Sequence, residues 1–137
     1  VCGIKDANTT EVDAKVKNPV IYSHDNTKRA GLYDCAVQNG TMTAKLYGKK
    51  TTQERHHHFY EFNNAYRNQI EQAGLVVSGV NPQADLVEIV ELPNHPYFIA
   101  CQFQPEFISR PQHPHPLFQG FVAAVAKLLP TQSEFDL

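Results

Sequence analysis

The sequence predicts an α/β domain with a mixed sheet, antiparallel hairpins and two main helices. Strand-like runs recur at 18–22, 75–80, 86–92 and 97–103. Helical apolar spacing appears at 65–73 and 116–129. Glycine, proline and asparagine clusters separate these runs, as turns require.

Residues 1–17 are polar and turn-rich. Residues 18–22 read as a strand, with Pro19 near its start where a missing N–H costs least. A polar loop follows. The runs 31–37 and 42–47 flank Gln38-Asn39-Gly40-Thr41, and Asn-Gly between two such runs predicts a hairpin. Residues 49–54 read as a charged connection, and 55–62 alternates large side chains as a strand does.

Asn63-Asn64 offers an N-cap to a helix over 65–73, which places Tyr66, Ile70 and Ala73 on one face and stops at Gly74. The run 75–80 is β-branched, 81–85 is a turn, and 86–92 alternates. Residues 97–103 are continuously apolar, the pattern of a buried strand. The clearest helix spans 116–129, with Pro116 in its first turn and Phe118, Phe121, Val122, Val125 and Leu129 on one face. Pro130 ends it, and 131–137 reads as a flexible tail after a domain spanning 1–130.

Composition limits the function classes. The 137 residues fit one domain with a modest core, and 42% hydrophobic with 19% charged residues suits a globular chain. A formal charge of -2 gives no reason to expect nucleic acid. No apolar run approaches the length of a membrane helix, and the first residues lack a signal-peptide pattern. Cys2, Cys35 and Cys101 are odd in number and widely spaced, which argues against a disulfide framework and suits the cytoplasm. His56, His57 and His58 are consecutive, so on a strand they cannot all face one ion, and no metal site is expected.

The chemistry concentrates at Gln104-Pro105-Glu106, where an apolar run meets a proline and then a carboxylate. Sites in open α/β sheets lie beyond the carboxyl ends of strands. Glu106 is therefore placed to orient a catalytic base; the plain alternative is a glutamate in a surface turn.

Around that step the sequence resembles the class I glutamine amidotransferases, in the branch found in CTP synthases. The likeness spans roughly Gly3 to Leu128: it runs from Pro93 through Gln104-Pro105-Glu106-Phe107 to Phe121, through Leu46-Tyr47-Gly48 and Glu54-Arg55-His56-His57-His58-Phe59-Tyr60-Glu61-Phe62-Asn63-Asn64, through Gly3-Ile4-Lys5-Asp6-Ala7-Asn8-Thr9-Thr10-Glu11, and through 69–75 and 86–91. The resemblance implies the second half of a flavodoxin-like amidotransferase domain. It implies a family chemistry in which a cysteine attacks the amide of L-glutamine, a histidine relays the proton and a glutamate orients the histidine. The ammonia then serves a separate synthetase domain that uses ATP and Mg to convert UTP to CTP. No cofactor is expected in this chain itself.

By the same resemblance Glu106 matches the orienting glutamate and Glu11 a glutamate that contacts the substrate's amino end; Glu11 also fits a helix-capping pattern with Thr9-Thr10. Gln104 stands where the family has its catalytic histidine, Phe59 where it has a substrate-gripping arginine, and His57 where it has a second arginine. A carboxamide has no useful pKa near neutrality, and a phenyl ring cannot replace a guanidinium fork. No Gly-x-Cys-x-Gly elbow occurs in the sequence. The expectation is an inactive amidotransferase module, preceded in its parent by an N-terminal half. Its expected partners are that half, a synthetase domain or further copies of itself. The alternative is a non-catalytic binding or assembly module.

Overall fold

The computed structural model describes residues 2–23 and 27–129. The expected stop at Pro130, the tail at 131–137 and part of the polar loop before β3 lie outside them. The elements run β1 (Ala7–Thr9), β2 (Asn18–Ser23), β3 (Arg29–Val37), α1 (Met42–Tyr47), β4 (Thr51–His58), β5 (Tyr60–Phe62), α2 (Arg67–Gln72), β6 (Val76–Asn81), β7 (Leu86–Glu91), β8 (Ile99–Cys101) and α3 (Pro116–Leu128). They build a three-stranded sheet, β1-β2-β5, and a five-stranded sheet, β4-β3-β6-β7-β8. Only β1–β2 is parallel among the strand pairs described.

The expected α/β architecture is present. The mixed sheet divides in two because the chain turns at Phe59. Tyr60–Phe62 then pairs with β2, while β4 stays on β3.

The Asn-Gly hairpin is not formed. Residues 42–47 are helical because two local features and one distant one outweigh the turn signal. Thr41 Oγ1 accepts from Ala44 N at 3.0 Å as an N-cap. Gly48 closes the helix at φ 63°, a left-handed angle that glycine adopts freely. The Glu91 carboxylate accepts from Met42 N at 2.7 Å and Thr43 N at 2.9 Å, holding the helix start against β7. The true partner of β3 is β4, from Arg29 opposite His58 to Ala36 opposite Thr51. The stretch read as a charged connection therefore supplies the first half of β4.

The run 97–103 also differs from expectation. Only Ile99–Cys101 is strand, at the edge of the larger sheet, and Ala100 is exposed. Phe103 is buried, but beyond the strand's end. The helix at 65–73 splits into a 3₁₀ turn at 64–66 and α2; Asn63 caps the turn and Ile70 is buried as expected. No helix follows Thr9-Thr10-Glu11, where Val12 N and Asp13 N both donate to the Thr9 carbonyl in a turn.

Helix α3 forms where the spacing puts it, but it turns a different face inward. Leu117 and Gly120 are its buried residues, while Phe118, Phe121, Val122, Val125 and Leu129 are exposed. The reason is steric. A Cβ at position 120 would sit 2.7 Å from Leu46 Cδ2 and 2.9 Å from Tyr97 Cε2. The helix backbone thus lies on α1 at its glycine, and the Tyr97 hydroxyl donates to the Leu117 carbonyl at 2.5 Å. We expect Gly120→Val to lower the unfolding free energy by about 1–3 kcal/mol in urea titrations; an unchanged midpoint would refute this packing.

Two small apolar clusters, Cys35–Ile89–Phe103–Leu117 and Ile70–Val77–Val87, form the core. Between and beside them lie Glu54, His56, Glu61, Glu88, Glu91 and His115, all buried. A core this polar holds only if its charges are paired.

Candidate functional site

The end of β4 and the 3₁₀ turn Pro105–Phe107 meet at one rim of the larger sheet. Pro105 starts that turn, so Gln104 keeps an extended backbone (φ −106°, ψ 91°) and stays in register with β4. Gln104 N donates to the Arg55 carbonyl at 2.9 Å. Gln104 Oε1 accepts from His57 N at 2.7 Å, and its Nε2 donates to the Gln102 carbonyl at 3.4 Å. Both ends of the carboxamide are thus engaged with backbone. The His57 ring is exposed and meets Phe107 edge-on, with centroids 6.2 Å apart. Glu106 is exposed in the turn's first residues.

Phe59 lies between β4 and β5, 45% exposed, with Lys28 Nζ 5.4 Å from its ring centroid. Glu11 is exposed in the turn after β1, where its N–H donates to Thr9 Oγ1 at 3.2 Å. The fold therefore gathers Gln104, His57 and Glu106 at one rim, whereas Glu11 lies in a turn that follows a strand of the smaller sheet. Among the described residues no hydrogen bond or ion pair joins Glu11 or Phe59 to Gln104 or Glu106.

Neither Cys35 nor Cys101 is a ready nucleophile. Burial, reinforced by Glu88 and Glu54, pushes the Cys35 thiol up to about 12. Burial, with Glu54 and Glu106, does the same to Cys101, also to about 12. The reactive species is the thiolate, so both are packing residues at neutral pH. A cleft of about 500 Å³ opens elsewhere, lined by Arg29, Tyr33, Asp34, Asn81 and Gln83 among others, and touches none of the residues picked out from the sequence.

The strongest polar geometry lies inside the molecule, and sequence reasoning missed most of it. Arg29 Nη1 donates to both Glu61 oxygens at 3.1 and 3.2 Å, and Nη2 to Glu88 Oε1 at 2.6 Å. Burial opposes the Arg29 charge, but Glu88 and Glu61 outweigh it and hold the guanidinium pKa above its usual value. His56 Nδ1 and His58 Nε2 are 2.8 Å apart. On the other flank Glu54 accepts from the Tyr47 hydroxyl at 2.8 Å and from Thr52 at 3.2 Å, and its Oε2 is 3.0 Å from His115 Nε2. Burial and Glu54 push the Tyr47 phenol well above its usual range. A signal existed. Thr52, Glu54 and His56 alternate with exposed Gln53, Arg55 and His57 along β4. The period of two was present, but carried by polar residues on the inward face. A search for apolar alternation passes over it.

Comparison with known proteins defines the class first. The model of the family described as glutamine amidotransferase class-I matches residues 8–124. The chain belongs to this class-I glutamine amidotransferase family, on the CTP synthase branch. It is 50% identical over 133 residues to a CTP synthase of Synechococcus sp., covering 90% of this chain and 24% of that protein. It is likewise 50% identical over 135 residues to a CTP synthase of Nostoc punctiforme, covering 92% of this chain and 25% of the relative. The chain thus spans about a quarter of these relatives' length. The solved glutaminase domain of Trypanosoma brucei CTP synthase, with bound acivicin, superposes with a TM-score of 0.86 at 35% identity, covering 93% of this chain and 53% of that one.

Proposed function

We propose that this chain is an amidotransferase module of CTP synthase type that does not hydrolyse glutamine. One observation carries the reading. The carboxamide of Gln104, which by the resemblance stands where the family has its proton-relaying histidine, is tied to His57 N and the Gln102 carbonyl. A group without a titratable nitrogen, bonded at both ends to the backbone, has no proton to give a leaving amine. Glu106 retains the orienting role's chemistry but has no imidazole to orient. Phe59 offers a ring where a carboxylate needs a guanidinium, and the buried thiols of Cys35 and Cys101 resist ionisation. Glu11 is proposed as a retained contact for an amino group.

In this reading L-glutamine, UTP amination and a synthetase domain with its ATP and Mg belong to the relatives' chemistry. Loss of a nucleophile or base costs on the order of 10⁴ to 10⁶ in rate. The purified chain is therefore expected to release no glutamate from glutamine above background. Turnover that vanishes in Glu106→Ala would contradict this. The double change Gln104→His with Phe59→Arg is expected to leave the chain inactive; measurable glutaminase activity in that variant would show that a usable nucleophile is present.

A second reading, a module for assembly, is favoured by the exposed Phe118, Phe121 and Val122 of α3. Exposed apolar patches mark contact surfaces. Sedimentation is expected to show association of the chain with itself, and a monomer at every concentration would count against it.

A further inference from the structure

Three buried groups and the part-buried His58 form a row across the junction of the two sheets. Glu61 Oε1 on β5 faces His58 Nδ1 at 3.6 Å, His58 Nε2 faces His56 Nδ1 at 2.8 Å, and His56 Nε2 faces Glu88 Oε2 at 3.5 Å. His56 Nε2, His58 Nδ1 and Glu88 Oε2 are buried without a hydrogen-bond partner among the described residues. At 3.5 and 3.6 Å these two gaps are wider than a formed hydrogen bond and too short for a bridging water, so each can close only onto a proton carried by one of its two groups.

The row has three gaps and ends in a carboxylate on each side, yet two neutral imidazoles supply only two protons. One gap must then set lone pair against lone pair, unless the row holds one proton more. Charge counting gives the same answer. One guanidinium, Arg29, serves two carboxylates, Glu61 and Glu88, which leaves one buried negative charge uncompensated. We propose that the Glu61–His58–His56–Glu88 row is a proton-binding site: the folded chain takes one proton from solvent, carries it on Glu88 Oε2, and so ties the junction of its two sheets to pH.

The surroundings orient the row. While the extra proton is bound, a hydrogen on His58 Nδ1 faces the Glu61 carboxylate. His58 Nε2 is then an acceptor, His56 Nδ1 must donate to it, and His56 Nε2 is left bare toward Glu88. Glu88 Oε1 is already taken by Arg29, so the extra proton sits on Oε2. The groups facing Glu88 are Arg29 and Cys35 on β3, Glu54 and His56 on β4, Glu61 on β5 and Cys101 on β8. Tyr33 meets the His56 ring edge-on at 5.3 Å. Burial pushes Glu88 up to about 7, and pushes His56 down to about 3, with Arg29 and His58 adding to the latter. Burial also lowers His58. The proton therefore resides on the carboxyl rather than on either ring.

A raised carboxyl pKa gives stability that is full below the unfolded value of 4.5 and is lost as pH rises through about 7. Glu88→Gln keeps the donor, removes the charge and leaves Arg29 balanced by Glu61 without a bound proton. Relative to that variant, the wild-type folding constant is expected to fall about tenfold per pH unit between those two values. Nitrogen-15 spectra of the unmodified chain give an independent readout. Both His56 and His58 should be neutral with the proton on Nδ1 at mildly acid pH, and both should shift to the Nε2–H form as pH passes about 7. Rings locked in one tautomer throughout, either ring charged at the acid end, or a wild-type to Glu88→Gln ratio independent of pH would overturn the site. If Glu88→Gln does not fold, the spectra decide alone.

Discussion

Arg29→Ala is expected to lower the unfolding free energy by about 3–5 kcal/mol, because it strips the counter-ion from two buried carboxylates at once. Glu88 is fully buried and Glu61 nearly so, and Arg29 bonds them at 2.6 Å and 3.1–3.2 Å. The three side chains come from β3, β5 and β7, so the loss also opens the contact between the smaller and larger sheets. Many domains have a total stability of only about 5–15 kcal/mol, and a fall of that size leaves much of the chain unfolded. The sign with pH follows from the chemistry. Arg29 lowers the Glu88 pKa against the burial that raises it. Without Arg29 the carboxyls can be accommodated only by protonation, so the loss should be larger at pH 8 than at pH 5. Urea titrations of both proteins at the two pH values test this. A change below about 1 kcal/mol, or a greater loss in acid, would show that the pair does not carry the junction.

The second large effect belongs to Glu91→Ala, expected to cost about 3 kcal/mol or more. One carboxylate accepts from Met42 N at 2.7 Å, Thr43 N at 2.9 Å and Thr43 Oγ1 at 2.8 Å. Hydrogen bonds to a charged acceptor contribute about 1.5–3 kcal/mol each in isolation, though three to one group are not additive. Removing the acceptor leaves buried donors at the start of a six-residue helix that cannot persist alone. Loss of α1 would also release its contact with α3. Circular dichroism with urea titration reads both effects, and a variant as stable as the parent would mean that Thr41 alone anchors the helix.

How much of this was legible differs by element. Asn63 and Gly74 bound a helical segment with Ile70 buried, as capping chemistry predicts. The runs at 75–80 and 86–92 became β6 and β7 nearly residue for residue, because β-branched alternation is a local property. The Asn-Gly signal misled because the decisive partner of residues 42–47, Glu91, lies far along the chain. The wrong face of α3 has the same origin: Phe118 and Val122 are more apolar than Gly120, but only Gly120 permits the approach of Leu46 and Tyr97.

The sequence alone determined the family resemblance and the chemical identity of Gln104, Glu106, Phe59 and Glu11, since these depend on which side chain stands at which position. It also determined the local segments whose caps and periodicity lie within a dozen residues. Only the tertiary structure decided that His56 and His58 share an interior with Glu61, Glu88 and Arg29, while His57 turns outward to Phe107. Pairing of buried charges depends on distances between residues remote in sequence, and those distances exist only once the strands are in register.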